Sequence, residues 1–269
     1  MIPYSFTYHR PKSLSEAQAL LLRAPDAKLL AGGQTLIAAM KLRLSNPSAL
    51  IDISGFPELS FVRATEGTIT IGAATKHADV ASSSVSWEKI PALAGLAKQI
   101  GDPAVRHMGT LGGSLANNDP AADYPAAALG LGATVRTSTR SIAADDFFTA
   151  MFSTALQDGE IITEVSFPVP KRAGYAKFPN PASRYAMVGV FVADLGGQIR
   201  VAVTGAAPCV FRQGEMEAAL AKDFSPAALE SIAASPDGLT SDIHGSAEYR
   251  AHLVNVMTKR AVSAAIAGH

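Results

Sequence analysis

The sequence contains a single cysteine, Cys209, and no long uninterrupted apolar run. One cysteine excludes an internal disulfide, and it excludes an iron–sulfur cluster held by cysteines of this chain alone. No stretch approaches the roughly 18 consecutive apolar residues that a membrane-spanning helix needs. Residues 1–11 lack the positive segment and apolar run of a signal peptide. We therefore expect a cytoplasmic protein with no membrane span.

The chain also lacks an excess of charge of either sign. Its 23 lysine and arginine residues balance 23 aspartate and glutamate residues. This balance gives no electrostatic reason to expect binding of nucleic acid or of an anionic membrane. Charged residues make up 17% of the chain and hydrophobic residues 48%. The composition favours a compact protein with a sizeable core, and it also fits one that covers apolar surface at a subunit interface.

Local signals of helix and strand alternate along the chain and predict an α+β fold. Ser13 and Glu16 have the spacing of a capping box, which predicts a helix that continues through Leu22 and ends at Pro25. Strands are also predicted at 28–30, 50–53, 68–71, 134–137 and 161–167. Helices are predicted at 36–42, 75–81, 91–99 and 126–131.

The segment 168–174 is the best candidate for a linker, because it carries two prolines, two basic residues and a glycine. It places a domain boundary near residue 170. Beyond it, Gly196 and Gly197 stand between two apolar segments and predict a hairpin. Ser246 is expected to cap a final helix whose apolar residues recur every four positions.

Two adjacent glycines, Gly32 and Gly33, join a predicted strand to a predicted helix in the sequence AGGQTL at 31–36. A diphosphate needs several backbone amides near one point, with no side chains in between, and adjacent glycines permit this. The motif has neither the three glycines of the dinucleotide fingerprint nor the lysine of a P-loop. On its own, a glycine pair between a strand and a helix is more often a tight turn.

A second glycine pair lies in the sequence TLGGSLANNDPAAD at 110–123, which combines hydroxyls, two asparagines and two aspartates. These residue types favour turns and caps, so we expect a loop rather than a helix or strand. Such a loop suits a polyhydroxy ligand such as a ribityl chain, and a surface Ω-loop is the alternative. Together, the two glycine motifs suggest a pyrophosphate held between two subdomains.

These motifs resemble those of a known family, the FAD-binding medium subunits of the molybdenum hydroxylases, the carbon monoxide dehydrogenase and xanthine dehydrogenase group. The lead-in DPAVRHMG at 102–109 is also similar to the family's. The resemblance runs nearly end to end, since further similar segments occur in order at 6–11, 159–164, 177–178, 183–186 and 249–250.

The resemblance implies an α+β fold with a two-subdomain FAD-binding module of the vanillyl-alcohol oxidase and p-cresol methylhydroxylase type. A smaller α+β C-terminal domain follows it. In this chain the FAD-binding domain is expected over 1–170, with subdomains at about 1–57 and 58–170, and the C-terminal domain over 175–269.

The resemblance also implies which residues hold the cofactor. The backbone amides of 32–36 and 111–114 are expected to bind the pyrophosphate. Ser114 and Thr35 replace the family's usual Asn and Ser, and both keep hydrogen-bonding capacity. The residues so implied are Ala31, Gly32, Gly33, Gln34, Thr35, Leu36, Thr110, Leu111, Gly112, Gly113, Ser114, Asn117, Asp123, Ile162, Lys177 and Tyr185.

Four of these residues have individual expected roles, each with a plain structural alternative. Asp123 is expected near the ribityl and adenosine hydroxyls, or else as a loop cap. Ile162 is expected against the flavin, or else in the strand core. Lys177 is expected close to the isoalloxazine, where a cation favours the reduced anionic flavin, or else as a solvated strand lysine. Tyr185 is expected to stack on the ring, or else to lie in the core.

By resemblance, the chain is an FAD-dependent oxidoreductase subunit that transfers electrons in a heterotrimer. A large partner would carry a molybdenum–pterin cofactor and a small partner two [2Fe–2S] clusters, in a dimer of heterotrimers. FAD on this chain would pass electrons to NAD, a quinone, oxygen or another acceptor. The substrate stays open among carbon monoxide, aldehydes, purines and N-heterocycles.

No catalytic residue and no metal site are expected on this chain. His77 and His107 have no acid or cysteine at metal-ligand spacing. Two other functions remain, a stand-alone FAD-dependent oxidoreductase and a flavin-free structural or nucleotide-binding subunit. The intact glycine motifs and Asp123 argue against loss of flavin, and the lack of an evident base or substrate-binding extension argues against a stand-alone enzyme.

Overall fold

The computed structural model describes residues 2–24 and 26–268 and has the α+β architecture that the sequence predicts. The predicted helix stop at Pro25 lies outside the described residues. Among the helices of the described part, none is both long and apolar enough to cross a membrane.

The N-terminal region is a small parallel sheet with two helices. Its elements are β1 (Thr7–His9), α1 (Leu14–Arg23), β2 (Lys28–Leu30), α2 (Leu36–Lys41) and β3 (Ala49–Asp52). The strand order is β1-β3-β2, and both pairings are parallel. Ser13 caps α1 as predicted, by accepting the Glu16 amide, whereas the Glu16 carboxylate reaches the Lys12 amide, one residue before the cap.

The middle region is an antiparallel sheet covered by short helices. Its elements are β4 (Val62–Thr65), β5 (Thr68–Gly72), α3 (His77–Ser82), α4 (Ser84–Lys89), α5 (Pro91–Lys98), α6 (Pro103–Arg106), α7 (Leu111–Asn117), α8 (Tyr124–Gly130), β6 (Thr134–Thr137), β7 (Ser141–Ala143), α9 (Ala144–Phe147), β8 (Phe148–Ala150), β9 (Ser153–Thr154) and β10 (Ile162–Pro168). The sheet order is β4-β5-β10-β6-β7. Its apolar face packs against buried residues of α3, α5, α7 and α8.

The C-terminal region is an antiparallel sheet with a long helix on one face. Its elements are β11 (Arg172–Pro179), β12 (Ala186–Asp194), β13 (Ile199–Thr204), β14 (Phe211–Arg212), α10 (Gly214–Lys222) and α11 (Ala247–Ala267). The predicted Gly196-Gly197 hairpin joins β12 and β13, and Ser246 caps α11 as predicted.

The central strand β12 is buried along its whole length, because the C-terminal sheet is covered on both faces. Val188, Val190 and Val192 pack with the apolar residues of α11. On the opposite face, Phe191 and Ala193 belong to the core of the middle region. The C-terminal sheet therefore contributes to the core of the middle region, which contains the second glycine motif.

One prediction about a loop is wrong. The segment 111–117 is the helix α7 rather than a loop, because Gly112 and Leu115 allow it to pack against the sheet. The predicted linker 168–174 is short, since β10 ends at Pro168 and β11 begins at Arg172. Val169 and Lys171 donate to Gly67 and Asp194, so even the connecting residues are fixed by hydrogen bonds.

Candidate cofactor site

The first glycine motif contacts the backbone directly before the second motif. A methyl group built on Gly32 would lie 2.1 Å from the Met108 carbonyl oxygen and 2.8 Å from the Gly109 Cα. Only glycine permits this approach. The turn after β2 and the turn before α7 are therefore in direct contact, as the pairing of the motifs predicts.

The first motif presents unused backbone donors. Gly33 has φ of +70°, a left-handed conformation, and Gln34 and Thr35 are exposed. Within the described chain, none of the amides of residues 32–36 donates to a backbone or side-chain acceptor. A row of free amides around a left-handed residue is a typical binding site for a phosphate group.

The first backbone amides of the second motif already donate hydrogen bonds within the chain. The Leu111 and Gly112 amides donate to the Thr75 and Ala73 carbonyls at 3.0 and 2.8 Å. The Gly113 amide donates to the Thr110 hydroxyl at 3.2 Å, and the Ser114 amide donates to the Thr110 carbonyl. All four amides of 111–114, which the resemblance implies at the pyrophosphate, thus have acceptors within the chain.

Gly112 and Gly113 instead provide close approach. A methyl group on Gly112 would lie 2.6 Å from the Ala73 Cβ, so this glycine seats α7 against the sheet. Gly113 is exposed at the first turn of α7. The hydroxyls of Thr110 and Ser114 remain as the polar side chains at this end of the helix.

His77 packs against Gly109, one of the residues at the contact between the two turns. Its amide donates to the Gly109 carbonyl at 3.0 Å, and its ring leaves no room for a side chain on Gly109. The ring packs on Tyr124 with centroids 5.3 Å apart. Burial lowers the pKa of His77 to about 4, so the imidazole is neutral near pH 7. His107, the other histidine considered, is exposed.

The end of α7 is fixed by Asn118, a residue that the sequence reasoning missed in favour of Asn117. Asn118 has φ of +43° and terminates the helix in the left-handed conformation. Its side-chain amide donates to the Ala150 and Ser153 carbonyls at 2.8 and 2.7 Å. Asparagine directly after a helix is a known signal for this geometry. Asn117 is half-buried.

Asp123 and Lys177 form a buried ion pair that joins the second motif to β11. The Lys177 ammonium lies 2.9 Å from Asp123 Oδ1 and 3.0 Å from Oδ2, and it also donates to the Gln99 carbonyl at 3.1 Å. The Lys177 side chain is 2% exposed, so it is not a solvated strand lysine. Asp123 makes no side-chain capping bond to α8, which excludes the loop-cap alternative.

Tyr175, which the sequence reasoning also missed, donates its hydroxyl to Asp123 Oδ1 at 2.5 Å. Burial raises the pKa of Asp123, and the Lys177 charge opposes that rise. Burial and the Asp123 charge raise the pKa of Tyr175 well above its usual range. Three buried polar groups from two regions of the chain therefore satisfy one another.

Ile162 and Tyr185 lie in different environments. Ile162 is 5% exposed in the core beneath the sheet. Tyr185 is 46% exposed, so it is not a core tyrosine. Burial of the phenol and the charges of Asp119 and Asp123 raise the pKa of Tyr185.

A cavity of about 420 Å³ adjoins Lys177. The positively charged residues in its wall are Lys98, Arg106, Lys177 and Arg184, and no carboxylate contributes to it. Arg184 holds a left-handed backbone with φ of +62°. Such a wall attracts anionic groups. Across the described chain, no group of three His, Cys, Asp or Glu residues could hold a metal ion.

Comparison with known families matches both parts of the chain. The model described as the FAD binding domain in molybdopterin dehydrogenase matches residues 4–170. The model of the CO dehydrogenase flavoprotein C-terminal domain matches residues 173–265. The two matches together span nearly the whole chain.

Individual relatives are similar to the chain over nearly their whole length. The chain is 36% identical to the carbon monoxide dehydrogenase medium chain of Hydrogenophaga pseudoflava, covering 98% of both chains. It is 35% identical to the glyceraldehyde dehydrogenase medium chain of Sulfolobus acidocaldarius, covering 97% of this chain and 98% of that one. Its structure is similar to that of reconstituted CO dehydrogenase from Oligotropha carboxidovorans, with a TM-score of 0.89, 34% identity and full coverage of both chains.

Proposed function

Because this chain belongs to the FAD-binding medium subunits of the molybdopterin dehydrogenase family, we propose that it is the electron-transfer subunit of a heterotrimeric molybdenum-containing hydroxylase. The observation that carries the proposal is the contact between the motifs. Gly32, the first residue of the segment 32–36 with free amides, lies against Met108 and Gly109, which directly precede the second motif. Free amides without intervening side chains suit a pyrophosphate.

The residues present fit FAD. The amides of 32–36 would hold the pyrophosphate, with Ala31 preceding them, and the hydroxyls of Thr110 and Ser114 would add contacts. The first turn of α7 at 111–113 and Asn117 would line the approach. Asp123 would accept from ribityl or adenosine hydroxyls. When bound, FAD supplies the electron-transfer chemistry, and the protein supplies orientation and electrostatics.

Ile162, Lys177 and Tyr185 are proposed at the flavin end of the site. Lys177 brings a positive charge, but its pairing with Asp123 means that the flavin would experience the field of the pair. The exposed Tyr185 ring is available for stacking. The positively charged cavity beside Lys177 favours anionic groups near this end.

We propose two partner subunits, a large one with a molybdenum–pterin cofactor and a small one with [2Fe–2S] clusters, assembled as a dimer of heterotrimers in the cytoplasm. The names of the relatives as medium chains support this, and one of the similar solved structures is that of a Cu,Mo-CO dehydrogenase. Exposed Tyr4, Phe6, Leu42 and Leu44 offer apolar surface for a partner. Electrons would enter from the iron–sulfur clusters and leave to an external acceptor.

We also propose the domain division into 1–170, with subdomains at about 1–57 and 58–170, and 175–269. The two matched segments support a boundary close to residue 170. The separate apolar cluster that contains Ala17, Ile51 and Phe56 supports the first subdomain as a packing unit.

Purification of the chain tests the proposal directly. We expect flavin absorbance in the purified protein, or stoichiometric uptake of added FAD. Co-expression with the neighbouring reading frames is expected to yield a complex with a molybdenum-containing chain and an iron–sulfur chain. A colourless chain that takes up no FAD would contradict the FAD site. Turnover of a substrate by the chain alone would identify a stand-alone oxidoreductase instead.

A further inference from the structure

The C-terminal region holds the end of the second motif in place. The Gly205 amide donates to the Pro120 carbonyl at 2.8 Å, and the Thr204 hydroxyl donates to the Ala122 carbonyl at 2.7 Å. The Ala186 amide donates to the Ala121 carbonyl at 3.3 Å. The segment that leads into Asp123 is therefore hydrogen-bonded to β12, to the end of β13 and to the residue that follows β13.

The hydroxyl of Tyr175 occupies a space that the neighbouring strand leaves open for it. A methyl group on Gly189 would lie 2.5 Å from the Tyr175 oxygen. Gly189 pairs with Lys177 across β11 and β12. The Tyr175 ring packs on Phe191, with centroids 6.2 Å apart. The absence of a side chain at position 189 lets this hydroxyl reach Asp123.

The bonds to the Asp123 carboxylate are shared unequally between its two oxygens. Tyr175 and Lys177 both bond to Oδ1, and only Lys177 bonds to Oδ2. A carboxylate has about four acceptor positions, two on each oxygen. Oδ2 thus retains capacity for a further donor, such as a ligand hydroxyl.

We propose that Tyr175 is a positioning residue for the cofactor site, and that it orients the Asp123 carboxylate so that Oδ2 accepts from a hydroxyl of FAD. This inference rests on the proposed function. It assigns a role in flavin binding to a residue of the C-terminal domain that does not itself belong to either glycine motif.

Tyr175→Phe is the test, and Tyr124→Phe is its matched control. Both tyrosines are buried, but in the described chain the Tyr124 hydroxyl has no hydrogen-bond partner, so its removal costs no bond. We expect Tyr175→Phe to weaken FAD binding about tenfold, because a hydrogen bond to a charged group is lost. Tyr124→Phe is expected to bind FAD like the native chain.

The pH profile and a double variant separate positioning from general destabilisation. Without the Tyr175 donor the pKa of Asp123 rises, so FAD affinity should begin to fall at a higher pH in Tyr175→Phe than in the native chain. In an Asp123→Asn background, Tyr175→Phe should change FAD affinity less than about twofold.

Native affinity and an unchanged pH profile in Tyr175→Phe would overturn the inference. An undiminished effect of Tyr175→Phe in the Asp123→Asn background would also overturn it. By contrast, a native chain that binds no FAD would refute the proposed function itself, so the two failures are distinct.

Discussion

Lys177 of β11 forms a buried ion pair with Asp123 at the end of the second glycine motif, with Nζ and Oδ1 2.9 Å apart. Both side chains are almost fully buried, with exposed fractions of 2% for Lys177 and 4% for Asp123. This pair crosses between the segment that carries the proposed flavin contacts and the C-terminal sheet. It therefore couples the geometry of the site to the presence of the C-terminal region.

Lys177→Met should destabilise the chain by about 3–5 kcal/mol, because it leaves the buried Asp123 without its counter-charge. The double variant Asp123→Asn, Lys177→Met should be more stable than Lys177→Met alone, since no unpaired charge remains. Urea denaturation of both variants measures the difference. A double variant that is less stable than the single one would show that the pair is not electrostatically coupled.

Glu160 accepts five hydrogen bonds beneath the sheet. They come from Arg140 at 2.8 and 3.0 Å, Thr139 at 2.6 Å, Thr137 at 3.1 Å and the Gln157 amide at 2.7 Å. The bonds from Arg140, followed by those from Thr139 and the Gln157 amide, lower the pKa of Glu160 from 4.5 to about 2. The carboxylate is thus favoured in the folded chain.

This shift predicts how acid affects stability. The Glu160 contribution, about 3 kcal/mol for such a shift, is fully present above pH 4.5 and is lost as the pH falls toward 2. Glu160→Gln should lower stability at pH 7 and flatten its decline below pH 5, measured as the denaturation midpoint against pH. The exposed Glu66→Gln is the control. Parallel pH profiles for native chain and Glu160→Gln would contradict this role.

Arg200 of β13 is a second link between the regions. It donates to the Leu129 carbonyl at 2.8 Å and to both oxygens of Asp145 at 2.7 and 2.8 Å. The Arg200 side chain is buried, whereas Asp145 is exposed. Removing Asp145 and removing Arg200 should therefore destabilise the chain by different amounts.

Asp145→Ala should cost about 3 kcal/mol, because it leaves a buried cation without its charge partner. Arg200→Met should cost less, about 1–2 kcal/mol, because Asp145 regains water while an apolar side chain fills the site. Equilibrium denaturation measures both, and we expect one cooperative transition since the two regions share a core. A larger cost for Arg200→Met, or two separate transitions, would contradict this description.

Much of the fold and part of the site could be predicted from the sequence because their signals are local. The caps at Ser13 and Ser246 and the Gly196-Gly197 hairpin depend on residues within a few positions. The first glycine motif likewise carries its free amides within one short segment. These features follow from the chain's own backbone preferences.

The remaining features depend on contacts between distant segments. The helix α7 forms although its sequence favours turns, because Gly112 fits against Ala73, which directly follows β5. The same packing engages amides that the motif alone presents as free. Tyr175 lies inside strand β11, and only the fold brings its hydroxyl to Asp123. No pattern of neighbouring residues predicts the contact between Tyr175 and Asp123.

The binding of FAD to two glycine variants tests the central claim most directly. Gly33 and Gly67 have nearly equal φ angles of +70° and +73°. A methyl on Gly67 meets nothing within 4 Å, whereas one on Gly33 lies 3.0 Å from Ile37 Cγ1. Alanine strains the backbone at both positions, but only Gly33 lies among the free amides.

Titration of FAD into the purified variants, followed by flavin fluorescence, gives the comparison. Gly33→Ala should lose FAD affinity on the order of 100-fold, since the amide donors to the pyrophosphate are displaced. Gly67→Ala should bind FAD as the native chain does. Equal FAD affinity in the two variants would contradict the account of a pyrophosphate held by the amides of residues 32–36.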